Sequence, residues 1–359
     1  MAKFKLALGI LASLLFALAP AAAVHAKEAN GKSSAAKKHN TKKVKVVLRK
    51  GARTTAVPRE KTVRRVVMVH GKRKVVYQKV SSVAVPMAAP MPTMGDLAGL
   101  NLTRDPLDLK SSVALVLDQN NAEVLFEKNS NVALPIASIT KMMTGLVVVE
   151  AHQDMDELLT ITDDDVDRAK FSSSRLKVGS QLTRGNMLHI ALMSSENRAA
   201  SALGRNYPGG LPSFVDAMNS KARQLGMKDT HYVDSSGLSK MNVASARDLG
   251  KLAMAALQHP LLRQYSTDPK AIVEASGQPM QFGNTNHLVA NPGWEIGLQK
   301  TGFINEAGRC LMMQAVIEGR AVIMVFLDSK GKQSRTADAG RMRKWLEALK
   351  PANMSLPGG

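Results

Sequence analysis

Positive charge in this chain is crowded into one stretch, and that stretch cannot build a core. Residues 27–79 carry 18 Lys and Arg against Glu28 and Glu60, which accounts for +16 of the net +20. Lys3 and Lys5 add two more charges, and residues 80–359 are left nearly neutral at +2. The stretch from 27 to 95 is rich in Lys, Arg, Val, Ala and Ser, with Tyr77 as its single aromatic. Such a composition buries too little apolar surface to offset chain entropy, so a basic, largely disordered arm is the expectation. One part patterns differently: 63–69 and 74–80 flank His70-Gly71-Lys72-Arg73 as the two strands of a basic hairpin. Pro86, Pro90 and Pro92 then mark a stiff linker. Folding therefore falls to a body over 106–350, with a short tail at 351–359.

Ahead of the arm, Lys3 and Lys5 precede an apolar run over 6–18, and Val24-His25-Ala26 offers small residues for cleavage. This is the pattern of a secretory signal over 1–26. A membrane-spanning helix is the alternative, and the run is too short for one. The expected location is periplasmic or secreted, soluble after cleavage. Cys310 is the one cysteine, which excludes an internal disulfide, and its apolar surroundings predict a buried, inert thiol. No H-E-x-x-H string or paired-cysteine spacing occurs, so neither a metal nor another cofactor is expected. Asp163, Asp164, Asp165 and Asp167 lack the glycine and glutamate of an EF-hand loop and read as an acidic helix start.

Within the body, 112–117 and 122–127 flank Asp118-Gln119-Asn120-Asn121 as an antiparallel hairpin. Apolar spacing at Met142, Met143, Leu146 and Val149 predicts a helix from Ser138 to about Glu150. Helices are expected over 181–193, 198–204, 212–225 and 244–257. Strand character returns at 297–304, 310–317 and 321–327, and an amphipathic helix covers 334–349. Strands, helices, strands and a last helix, in that order, predict an α+β fold: an antiparallel sheet covered by its terminal helices, with an inserted helical lobe.

Three short strings carry chemistry. In Ser138-Ile139-Thr140-Lys141 the serine and lysine lie one helical turn apart on one face. A serine hydroxyl is a weak nucleophile until a base removes its proton, and a lysine serves as that base only if burial or a nearby cation lowers its pKa. Lys300 is the candidate second cation. Read alone, Ser138 is a plain N-cap and Lys141 a solvated helix lysine. Ser195-Glu196-Asn197 follows a helix of the lobe, where a loop can face the strand edge; its bland reading is an N-cap serine and a turn asparagine. Lys300-Thr301-Gly302 lies within a strand, where glycine weakens packing unless another chain must come close, as when a peptide adds to a sheet edge.

Together and in this order, S-x-x-K, S-x-N and K-T-G resemble the motif set of penicillin-binding proteins and class A β-lactamases. The chain resembles the low-molecular-weight penicillin-binding proteins, the serine D-alanyl-D-alanine peptidases, over about residues 108–349. The likeness extends to Ala137–Thr144, Leu176-Lys177-Val178-Gly179 and Asp234-Ser235-Ser236-Gly237-Leu238. The runs from Met193 to Ala200 and from Lys300 to Cys310 look most like the D-alanyl-D-alanine endopeptidase branch. Glu196 departs from the usual aspartate at a variable position.

This resemblance implies a β-lactamase/transpeptidase-like fold and peptidoglycan peptides as substrates, with β-lactam antibiotics as covalent inhibitors. It implies Ser138 as nucleophile, Lys141 as base and Ser195 as proton relay. Asn197 holds the acyl-side amide, and Lys300 with Thr301 binds the terminal carboxylate side. Gly302 belongs to the same strand, and the N–H groups of Ser138 and Phe303 form the oxyanion hole.

Other readings are a DD-carboxypeptidase, a β-lactamase and a non-catalytic wall-binding scaffold. Between the second and third strings only Glu274 and Glu295 occur, and neither begins the E-x-x-L-N string of a class A lactamase. Intact nucleophile and base strings count against a scaffold. The nine residues after Lys350 also leave no place for the extra β-domain and amphipathic anchor of many carboxypeptidases, which favours a soluble endopeptidase. The arm suits an anionic wall or membrane surface. It lacks the interleaved aromatics of a single-strand binder, so no specific nucleic acid is expected.

Overall fold

The basic stretch does contain a hairpin. The computed structural model describes residues 60–69, 71–81 and 91–349, and it divides into two units between residues 87 and 88. The expected signal segment, residues 27–59 and 82–90 of the arm, and the tail fall outside the described residues. In the first unit β1 (Glu60–Val69) pairs antiparallel with β2 (Lys72–Ser81). Val69 lies opposite Lys72 and Gly71 has φ +75°. The loop is therefore two residues, not four, because a left-handed glycine lets a tight turn follow the twist of the strands. Val66, Met68 and Tyr77 are each more than half exposed.

The second unit begins earlier than residue 106. Thr93 caps a single turn, α1 (Met94–Leu97), through reciprocal hydrogen bonds with Asp96. Met94 N–H donates to Glu306 O, and Asp96 pairs with Lys330. Residues 94–96, at the end of the stretch assigned to the arm and linker, are thus fastened to the body.

Next come β3 (Ser111–Asp118), β4 (Val124–Lys128) and the short β5 (Leu134–Pro135). The lobe follows with α2 (Thr140–Glu150), β6 (Leu158–Thr160), β7 (Gln181–Thr183), α3 (Arg184–Met193), α4 (Asn197–Arg205) and α5 (Gly210–Gln224). Then come β8 (Val243–Ala244), α6 (Ala246–Ala256), α7 (Pro260–Thr267), β9 (Lys270–Ala275) and β10 (Gln278–Gly283). The chain closes with β11 (Glu295–Ile304), β12 (Gly308–Ile317), β13 (Arg320–Ser329) and α8 (Ser334–Ala348).

The central sheet has five antiparallel strands in the order β11-β12-β13-β3-β4. Its side chains alternate between two cores, as a sheet covered on both faces requires. Val113, Leu115, Met312, Ile323 and Val325 face the lobe. Ala114, Val116, Leu311, Met324 and Phe326 pack with Ala339, Met342 and Leu346 of α8. The C-terminal helix covers one face as expected, while the lobe itself covers the other. β11 lies at one edge of the sheet, beside α7 and the turn that carries Ser138.

Three expectations shift locally. Residues 181–183 form a short strand paired with β6, and the helix starts at Arg184 with Thr183 as its N-cap. The helix α7 and the β9–β10 hairpin were not anticipated. The acidic run is a 3-10 turn, Asp163–Asp165, in which Asp165 is buried against Arg205.

Candidate active site

Ser138 is presented by a strained turn rather than by a helix cap. Ala137 has φ +49°, in the left-handed region that costs a side-chain-bearing residue energy. Ala137–Ile139 form a 3-10 turn leading into α2, and the Ser138 side chain caps neither. From Thr140 to Val148 every residue of α2 is buried, so this is a central helix. Lys141 is carried into the interior with it and is fully buried.

The Lys141 amine makes three contacts. It lies 2.9 Å from Ser138 Oγ, and it donates to Asn197 Oδ1 at 2.7 Å and to Ser236 O at 2.5 Å. Burial pushes its pKa down to about 7, against the opposing pull of Asp234 and Glu196. Burial is the largest cause of the lowering, and the expected coupling to Lys300 shows on the other partner, whose own pKa Lys141 lowers. Lys300, also fully buried, is held well below the ordinary lysine value by burial first, then by Lys141 and Arg335.

Ser195 stands between α3 and α4 at φ +63°. Its hydroxyl accepts from Lys300 Nζ at 2.9 Å, which joins the second string to the third across the cleft. Asn197 is the first residue of α4, where Glu196 supplies the N-cap. The departure at Glu196 therefore has a local use. Asn197 Nδ2 donates to Ser172 Oγ at 2.9 Å, which turns Oδ1 toward Lys141. Ser172 belongs to a loop bound by Asp167 to its own backbone and by Lys170 to Glu306.

On β11, the Thr301 and Thr285 hydroxyls are 2.6 Å apart. Gly302 is close-packed, but against this chain itself: a Cβ there would lie 2.7 Å from Ile136 O and 3.2 Å from Ser138 N. The glycine lets the edge strand touch the serine-bearing turn. Arg335 secures that strand from behind, donating to Gly302 O at 2.7 Å and Cys310 O at 3.2 Å. The Phe303 ring is half exposed and lies under Arg309.

The fold thus brings Ser138, Lys141 and Asn197 into direct contact, joins Ser195 to Lys300, and lays Gly302 against Ser138. Sequence reasoning missed the supports. Asp234 Oδ1 accepts from the backbone N–H groups of Ser236 and Gly237, shaping the turn that aims Ser236 O at Lys141. The fully buried Asn242 holds the same turn through Val233 and Asp234 and also donates to Thr140 Oγ1. The Asp234–Leu238 run had a signal as part of the resemblance. Ser172, Thr285, Asn242 and Arg335 had none, since each acts through a partner distant in sequence.

A serine–lysine pair beside an edge strand, on this sheet-and-lobe framework, defines a serine–lysine class of acyl-transfer site. The family model described as D-alanyl-D-alanine carboxypeptidase (Peptidase S11) matches residues 101–331, and the chain belongs to that family. A D-alanyl-D-alanine endopeptidase of Pseudomonas aeruginosa is 48% identical over 268 residues, covering 74% of this chain and 84% of the relative. One from Escherichia coli is 43% identical over 245 residues, covering 68% and 79%. Among solved structures, the Streptomyces K15 DD-transpeptidase superposes with a TM-score of 0.64 at 26% identity, covering 69% of this chain and all of that one.

Proposed function

We propose that this chain is a periplasmic serine DD-endopeptidase that hydrolyses D-alanyl peptide cross-links in peptidoglycan through an acyl-enzyme, with β-lactams acylating the same serine. The observation that carries this reading is the buried Lys141 amine, lowered to about 7 and 2.9 Å from Ser138 Oγ. A neutral amine at that distance can take the hydroxyl proton near neutral pH.

Ser138 attacks the D-alanyl carbonyl while Lys141 accepts its proton. Ser195, hydrogen-bonded to Lys300, relays a proton to the leaving amine. The second Nδ2 hydrogen of Asn197 holds the acyl-side amide, and Lys300 with Thr301 receives the carboxylate side. The N–H groups of Ser138 and Phe303 stabilise the oxyanion, each worth about 3 kcal/mol in such sites. Water then releases the acyl group. No cofactor enters any of these steps.

The names of the P. aeruginosa and E. coli relatives support cross-link cleavage. The family description keeps a second reading in view: removal of a terminal D-alanine by the same site. Incubating the chain with a cross-linked muropeptide dimer and with a pentapeptide monomer separates them. Dimer converted to monomers is the expected result; free D-alanine from the pentapeptide alone would make the enzyme a carboxypeptidase. The basic arm is proposed to hold the protein to an anionic wall or membrane surface, and deleting 27–90 should lower its retention on isolated walls.

A further inference from the structure

The proposed roles fix the direction of an extended substrate on β11. Its carboxylate end lies at Lys300 and Thr301, its reacting carbonyl at Phe303 N–H, and its acyl portion leads on toward Asn305. At that end of the strand a cavity of about 360 Å³ opens, lined by Phe303, Asn305, Arg309 and Lys330, with Met91 and Thr93 from the segment ahead of α1.

Arg309 is the unspent group there. Its guanidinium lies 4.6 Å from the centre of the Phe303 ring, and among the described residues it makes no hydrogen bond or ion pair. The surrounding charges are engaged elsewhere. Lys330 pairs with Asp96, Glu306 with Lys170, and Arg335 is committed to the Gly302 and Cys310 carbonyls. The Asp328 carboxyl is buried beneath Gly95 and Gly308, where an added Cβ would collide with it. A guanidinium over an aromatic face, with its planar fork of donors free, is suited to bidentate capture of a carboxylate.

Resting on the peptidase reading above, we infer that Arg309 and Phe303 form an acyl-side subsite for a carboxylate on the peptide stem, which makes Arg309 a specificity-determining residue. The segment around Met91 and Thr93 completes this subsite, so the residues that follow the arm contribute directly to substrate choice.

The test is binding rather than turnover. In a full chain carrying Ser138→Ala, calorimetry compares a muropeptide dimer with the same dimer amidated at the carboxylates of its acyl-donor stem. The free-carboxylate dimer should bind about tenfold more tightly, and adding Arg309→Ala should remove that preference while leaving the amidated dimer's affinity unchanged. Equal binding of the two dimers to the Ser138→Ala chain overturns the inference, and this comparison does not depend on how well the double variant folds. An equal loss on both dimers with Arg309→Ala overturns it too. Cleavage of the dimer by the unmutated chain is measured separately, so failure of the peptidase reading is told apart from failure of the subsite.

Discussion

Gly237 and Ala137 approach so closely that a methyl group on Gly237 would lie 2.0 Å from the Ala137 carbonyl oxygen. Gly237 also has φ +82°. Space and backbone conformation independently demand glycine here, next to the turn that presents Ser138. Gly237→Ala should therefore displace the serine-bearing turn. The expected outcome is a melting temperature lower by several degrees and penicillin labelling reduced at least tenfold, read by thermal denaturation and a fluorescent β-lactam.

Removing the nucleophile should separate chemistry from folding. Ser138→Ala is expected to abolish both turnover and covalent penicillin labelling while the thermal transition stays within a few degrees of the parent. Labelling that survives would remove Ser138 from the mechanism.

Activity should follow the titration of Lys141. The amine works as a base only when neutral, so kcat/KM should fall as pH drops through about 7. Above that value it should level off until another group titrates. A profile flat from pH 6 to 9 would argue against Lys141 as the base.

The same lysine links stability to pH with a definite sign. Its folded pKa is about 7, against 10.5 for an ordinary lysine. Within that window the unfolded chain binds a proton that the folded chain does not. Stability therefore rises with pH across the window and is lost as pH falls toward 7. Lys300, displaced in the same direction, adds to the slope. Urea denaturation at pH 7, 8 and 9 should show a rising midpoint, and Lys141→Met should flatten the trend.

Asn242 offers a test of the hidden scaffold. It is fully buried and hydrogen-bonds to Val233, Asp234 and Thr140. Asn242→Ala leaves several buried backbone and hydroxyl groups unpaired and should cost about 3 kcal/mol by chemical denaturation. A cost below about 1 kcal/mol would mean that water or a shifted turn replaces the amide.

Much of the fold was legible because its periodicities are strong. The strands over 295–329 and the apolar spacing from Met142 to Val149 announce themselves locally. Residues 181–183 were read as helix because their pattern merges with that of α3; pairing with β6, 20 or so residues away, decides them. The α7 helix is eight residues long and opens at Pro260, too short for periodicity to stand out. In the site, Ser138, Lys141, Ser195, Asn197 and Lys300 could be picked out from strings. That Lys141 is buried could not be read from the string, because burial on all sides of α2 is a property of the packed lobe.

Cys310 gives the molecule a chemical clock. It lies opposite Gly302 in the β11–β12 ladder, is fully buried, and burial pushes its thiol up to about 12. An alkylating reagent can reach it only when that corner of the sheet opens. The rate at which intact protein takes up iodoacetamide therefore measures how often the K-T-G strand lets go. A β-lactam bound at Ser138 and leaning on that strand should slow the clock.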